Sequence, residues 1–226
     1  MSRQTIPAVL SAILAAVVAT GCATAPKKDF TAFQSENPRS VLVIPVVNRS
    51  VEVNAADYFL STLSIPVAER GYYVFPVDLV KHLLENDGLA DSAMVHSADT
   101  TKLCNLFGAD SVLYATIERW DAQYLVLTTQ VTVAFEYTIK GCKTGDILWN
   151  HKQTMVYSPQ QNQSGGGGIG TLVAMAISAA MTKAMPNYMP LARQANGMAF
   201  KFPDGPGFPA GSYHPEHKKN LAAAKQ

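Results

Sequence analysis

Residues 112–120, 124–139 and 147–157 are dominated by β-branched and aromatic side chains and carry almost no helix signal. A stretch of this kind is satisfied by strands, and it dictates the architecture of everything packed around it. The middle segment shows how the strands lie. Val131, Val133, Phe135, Tyr137 and Ile139 alternate with Thr132, Glu136 and Thr138. Period-two alternation puts the first set on a buried face and the second on a wetter one. Lys143-Thr144-Gly145-Asp146 supplies a hairpin turn in which Gly145 is free to take a positive φ. Trp120-Asp121-Ala122-Gln123 is read as a second turn. The back of the chain is therefore an antiparallel meander that needs a cover on one face.

The front alternates strands with helices. Val41-Leu42-Val43-Ile44, stopped by Pro45, is apolar at every position and reads as a strand buried on both faces. Asn54 offers an N-cap with Asp57 three residues on, and Phe59, Leu60, Leu63 and Val67 follow at helical spacing up to Gly71. Pro66 lies inside that pattern and predicts a kink or an interruption. Tyr72-Tyr73-Val74-Phe75, closed by Pro76, is a second strand, and Leu79, Val80, Leu83 and Leu84 mark a second helix ending near Gly88. Ser97 is read as the cap of a third helix carrying Leu103, Leu106 and Phe107 and ending at Gly108. The sum is an α+β domain with an α/β-like front half, one mixed sheet with helices mainly on one face. At 48% hydrophobic and 15% charged residues the chain can bury enough surface to offset its ordering entropy.

The first residues carry an address. Arg3 is the only charge before Lys27, and an apolar stretch from Ile6 to Ala19 follows it. This is the layout of a secretory signal, too short to span a bilayer. Ala19-Thr20-Gly21-Cys22 resembles the lipobox of bacterial lipoproteins, whose signal is cut before a cysteine that then carries acyl chains. Ala23 stands where an aspartate would resemble an inner-membrane retention signal, so Cys22 is expected to anchor the chain in the outer membrane, with the body in the periplasm. Loss of residues 1–21 leaves 17 basic and 17 acidic side chains. A neutral body has no electrostatic footprint for nucleic acid and is held at a membrane by lipid. The chain then divides into a signal (1–21), a lipidated tether (22–38), a folded domain (39–185) and a Pro/Gly-rich C-terminal tail (186–226) expected to wrap the domain or stay mobile.

Few residues are arranged for chemistry. Residues 165–170 satisfy G-x-G-x-x-G in form, but seven polar residues separate them from the preceding strand and no acid follows in range. They read as a hinge, with no cofactor expected. Residues 169–185 form an apolar helix with Leu172, Met175, Ala176, Ala179 and Ala180 along one face. That face is expected to pack on the domain's own sheet or to form an interface with a partner or a second copy. Cys104 and Cys142 are read as two separate thiols, Cys104 buried, because their segments join only if their Cα atoms approach within about 7 Å. His96 and Cys104 are too far apart along one helix to form a dyad. His214-Pro215-Glu216-His217 matches no zinc spacing and reads as solvated chain end. No carboxylate pair is placed for acid–base work, so neither catalytic nor metal-ligating residues are assigned.

Val41-Leu42-Val43-Ile44-Pro45-Val46-Val47-Asn48-Arg49-Ser50, the segment from Asp57 to Val77, Leu106-Phe107-Gly108-Ala109-Asp110 and the Lys143–Trp149 turn region, with the glycine run before an apolar helix, together resemble a family of bacterial lipoproteins without an established activity. That family includes a surface-antigen vaccine candidate, and the resemblance spans roughly residues 22–210. It implies a fold like the amino-terminal α/β domain of TolB, related to the curli-secretion CsgG type and to lipoprotein activators of peptidoglycan synthases. It also implies acylation at Cys22 and work in envelope assembly or secretion through contacts with other envelope lipoproteins, a homodimer among them. Two alternatives stand beside this non-enzymatic adaptor. One is a small-ligand or carbohydrate binder, which predicts a deep pocket with convergent polar groups beside the glycine loop. The other is a subunit of a curli-type pore, in which the face of residues 124–139 would meet lipid.

Overall fold

β1 (Ser40–Val43) is buried at every residue, as its unbroken apolar run requires. The computed structural model describes residues 30–125, 128–157, 188–201 and 207–217. Ahead of β1 lies α1 (Thr31–Glu36). After Pro45 comes β2 (Val47–Asn48), and β3 is Tyr73–Val74. β1 runs parallel to β3 on one side and to β4 (Ser111–Leu125) on the other, with β2 also parallel to β4. β4, β5 (Thr128–Gly141) and β6 (Ile147–Tyr157) form the expected antiparallel meander. The order is β3-β1-β4-β5-β6, one mixed α+β sheet.

Local chemistry explains most of the helix boundaries. α2 (Ala55–Leu60) and α3 (Ser64–Glu69) are separate helices, the interruption that Pro66 foretells. Pro66 falls in the first turn of α3, where its missing N–H forfeits no bond. The Asn54 side chain makes no cap bond, and its amide contacts the Glu52 carboxylate instead. α4 (Val77–Asn86) precedes Gly88, which has φ +84°. Ser97 does not cap the next helix. It ends α5 (Ser92–Ser97), while Asp99 caps α6 (Thr100–Phe107) by accepting from the Lys102 N–H at 3.0 Å. An aspartate two residues on displaced the serine because its carboxylate is the stronger acceptor for the helix end. Trp120-Asp121-Ala122-Gln123 is not a turn either. β4 runs straight through it, with Trp120 paired to Val133 and Asp121 to Thr132. None of the four is a glycine or asparagine suited to positive φ. The turn at Gly145 forms as expected, with φ +78°.

The helices divide between both faces of the sheet's front. Val41 and Val43 belong to the larger core with Phe59, Leu63 and the β5 set Val131, Val133, Phe135, Tyr137 and Ile139. Leu42 and Ile44 point the other way, into a smaller core with Val80, Leu84, Val95 and Leu103. The all-apolar β1 demands that second cover. Along β5 the alternation buries Val131, Val133, Phe135, Tyr137 and Ile139 on one face, where the cover is helical, with Thr132 also buried on the other face. The apolar face of residues 131–139 thus lies in the domain's own core.

Part of that cover comes from beyond residue 186, where the sequence pattern placed a tail. α7 (Met189–Lys201) buries Leu191, Ala192, Ala195, Asn196, Ala199 and Phe200. Pro190 is tolerated because it sits in the first turn. The three small alanines let the helix approach β6 and α3 closely. Asn196 is fully buried, yet its bonds are met. The Tyr137 hydroxyl donates to its Oδ1 at 2.6 Å, and its Nδ2 donates to Thr62 Oγ1 at 2.8 Å. Phe200 meets Tyr137 edge-on at 5.3 Å. Phe208 stacks on Tyr72 at 4.7 Å and meets Phe33 of α1 edge-on at 5.6 Å.

The two body cysteines are joined. Cys104 and Cys142 form a disulfide with Cα atoms 5.7 Å apart, correcting the reading of separate thiols. Register is the reason. α6 ends just before β4 begins, and Ser111 pairs with Gly141. Cys142 therefore lands beside the end of α6, its N–H donating to the Asp110 carbonyl at 3.0 Å.

The buried Tyr137–Asn196 bond can be tested by a cycle. Asn196→Leu keeps the volume but strands the Tyr137 hydroxyl, and should cost about 1–3 kcal/mol of stability in denaturant unfolding. Adding Tyr137→Phe should recover part of that loss. A double variant as weak as the sum of both singles would contradict the assignment.

Candidate functional site

The C-terminal segment closes one edge of the domain and builds a groove there. Phe208 buries its ring in the core, and hydrogen bonds pin residues 208–213 to α3 and β3. Arg70 Nε donates to the Phe208 carbonyl at 2.9 Å, Gly211 N–H to the Arg70 carbonyl at 2.7 Å, and Tyr213 N–H to the Gly71 carbonyl at 3.1 Å. The Tyr72 hydroxyl donates to the Pro209 carbonyl at 2.9 Å. Burial raises the Tyr72 hydroxyl well above its usual range, so it stays a donor, and burial lowers the Arg70 guanidinium. Gly71 has φ +81°, and a Cβ there would strike His214, while one on Gly211 would strike the Gly71 carbonyl. The strap lies this close because both positions are glycine.

Ala68, Glu69, Tyr73, Tyr213, His214 and Pro215 line the resulting open groove of about 420 Å³. Tyr73 is 54% and Tyr213 68% exposed. His214 Nδ1 accepts the Glu216 N–H at 3.1 Å, which leaves the ring's hydrogen on Nε2 in the neutral form. Glu69 forms an ion pair with Lys201 of α7. His217 donates from Nδ1 to the Ala210 carbonyl at 2.8 Å. The two histidines therefore serve strap geometry, and the run 214–217 is built structure instead of the solvated end expected. Among the described residues no group of three or more His, Cys, Asp or Glu could hold a metal ion.

Other sequence candidates fall elsewhere. Cys22, the glycine run 165–170 and the helix face of Leu172, Met175, Ala176, Ala179 and Ala180 lie outside the described residues. Cys104 is committed to its disulfide. No helix among the described residues is long and apolar enough to cross a membrane. A surface the sequence did not single out lies over the smaller core. Leu79 and Leu83, one turn apart on α4, and Leu106 on α6 are exposed. Phe75 and Phe107, partly buried against the same core, meet with their rings 6.4 Å apart, and Tyr73 is edge-on to Phe75 at 5.1 Å. Helical spacing placed these leucines on helices without fixing which of them face inward, because periodicity cannot tell an inward stripe from one a residue wider than its core. Tyr73 and Tyr213 were missed for a different reason: the groove joins segments 140 positions apart, and only the Gly-Ser-Tyr turn chemistry hinted at fixed structure there.

The family described as "Putative lipoprotein GNA1162-like" matches residues 28–204. The chain belongs to this family. It is 33% identical over 168 residues to "Putative lipoprotein NMB1124/NMB1162" of Neisseria meningitidis serogroup B, covering 73% of this chain and 77% of the relative. The crystal structure of lipoprotein GNA1162 from Neisseria meningitidis matches with a TM-score of 0.53 at 30% identity, over 65% of this chain and all of that one. The C-terminal domain of LpoB from Salmonella enterica matches with a TM-score of 0.39 at 24% identity, over 53% of this chain and 84% of that one.

In this family member one histidine is poised to report on the smaller core. His96 donates from Nε2 to the Pro45 carbonyl at 3.0 Å and meets Tyr114 edge-on at 5.2 Å. Burial lowers its pKa, reinforced by the charges of Lys140 and Arg49 and opposed by the Pro45 bond. The unfolded chain then takes up a proton that the folded one resists, so stability falls as pH drops below about 6.5 toward the folded value. His96→Gln should flatten that part of the pH–stability profile in thermal melts. An unchanged slope would assign it to other groups.

Proposed function

We propose that this chain is an outer-membrane lipoprotein, acylated at Cys22, whose periplasmic domain acts without catalysis as an adaptor in envelope assembly or secretion. Family membership supports the lipid anchor, and the lipobox Ala19-Thr20-Gly21-Cys22 gives it a residue. The Cys104–Cys142 disulfide supports an oxidising compartment by an independent route, since such bonds persist outside the cytosol. The observation that carries the adaptor role is the exposed apolar surface of Leu79, Leu83 and Leu106. It sits on helices whose opposite sides are already packed, so folding alone does not account for it. The partner it suits is another envelope lipoprotein offering a complementary apolar face with few charges.

Two measurements on the full chain in its native envelope separate the halves of this reading. Cys22→Ser should lose metabolic palmitate label and leave the membrane pellet, and a variant that keeps both would remove the anchor. A photo-cross-linking residue at Leu83 should capture the same protein in repeated preparations, while one at Lys152 on β6 should not. Failure at Leu83 and at Leu106 would remove the adaptor.

A further inference from the structure

We propose that the groove between α3, β3 and the strap of residues 208–217 is a saccharide-binding subsite, taking a segment of a β-1,4-linked pyranose chain against Tyr213 and Tyr73. The proposal concerns the groove itself and stands apart from the adaptor role, because it needs no protein partner.

The two phenol rings are displayed on fixed backbone. Tyr213 N–H is held by the Gly71 carbonyl, and Tyr73 N–H donates to the Arg39 carbonyl at 2.9 Å. Gly71 and Gly211 are both needed for the strap to lie this close, so Tyr213 is presented by a built turn and not by a fraying end. Ligand binding to such rings orders little additional chain. Pyranoses with equatorial hydroxyls leave the C–H faces of each ring bare, and those faces stack on aromatic side chains.

The polar groups select among ligands. His214 presents Nε2–H as a donor, Glu69 presents carboxylate oxygens as acceptors, and each tyrosine hydroxyl does both. Sugar hydroxyls donate and accept, so they satisfy every one of these groups. A phosphate or sulfate would face Glu69, and Lys201 is already paired with that carboxylate. A proline-rich peptide offers carbonyls but few N–H groups and would leave the acceptor capacity of Glu69 beyond its Lys201 pair unused. The groove is open and not enclosed, which suits inner units of a polymer that enters at one end and leaves at the other.

The test uses the full-length chain in a detergent without a sugar headgroup, with chitotetraose and cellotetraose as probes, followed by titration calorimetry and saturation-transfer NMR. Saturable binding of at least one tetrasaccharide is expected, with transfer strongest at ring C–H protons. Tyr213→Ala and Tyr73→Ala should each weaken it about tenfold, the loss of one stacking contact, and Tyr213→Ala should do so without shifting the thermal midpoint because that side chain is 68% exposed. Tyr213→Phe should retain most of the binding. The proposal is overturned by no saturable binding of either sugar, or by binding that survives both alanine variants unchanged. It is equally overturned if a proline-rich peptide binds at the tyrosines and the sugars do not, which would assign the groove to peptide.

Discussion

One face of β5 governs this fold. Val131, Val133, Phe135, Tyr137 and Ile139 present an apolar strip in the middle of the meander, and water has to be kept from all of it. α2 and α3 cover part of the strip, with Phe59 stacked on Phe135 at 4.0 Å. They are too short to cover the whole. The remainder is supplied by α7, far along the chain, which reaches across β6 and places Phe200 against Tyr137 and Trp149. A sheet of long strands with short flanking helices therefore has to recruit its C-terminal segment, and the buried Asn196 fixes how that segment docks by tying it to a strand and to the α2–α3 corner at once.

That recruitment has consequences at the surface. Once α7 is docked, the chain beyond it returns past Phe33 and Tyr72, and Phe208 fills the gap between them. The strap that carries Phe208 inward carries Tyr213 and His214 outward to the edge of β3. The groove is thus a by-product of closing the core, which makes its geometry as rigid as the packing behind it. At the same end of the strands, where Ser40 pairs with Tyr73 and Ser111 with Gly141, the N-terminal segment is tied down in a similar way. Glu36 accepts the Lys143 N–H at 2.7 Å and its carbonyl accepts Lys143 Nζ at 2.8 Å, beside a disulfide that holds the same turn to α6. A chain anchored by lipid ahead of α1 would pull on this braced corner and not on a loose end.

Much of the architecture is readable from residue patterns. The alternation along residues 131–139, the apolar run of β1, the punctuation at Pro45, Gly71 and Gly108, and the turn at Gly145 each act over a few neighbouring positions, and each appears in place. Contacts that depend on register do not show in such patterns. Cys104 meets Cys142 only because Ser111 aligns with Gly141, and a shift of one pair would part them. The buried face of α7 is masked by Pro190 and Gly197, which read as breakers although one sits in a first turn and the other has open space around it. The groove was invisible for the same reason, being a meeting of α3, β3 and a strap that local chemistry marks only as turns.

The most direct test of this account is native-state hydrogen exchange of the full chain, comparing amides of α7 with those of β5. If the C-terminal helix completes the cover over β5, both sets exchange through the same global unfolding, with equal free energies and equal sensitivity to denaturant. Amides of α7 that exchange far more readily than those of β5, with little denaturant dependence, would contradict it and return residues beyond 186 to the status of a tail.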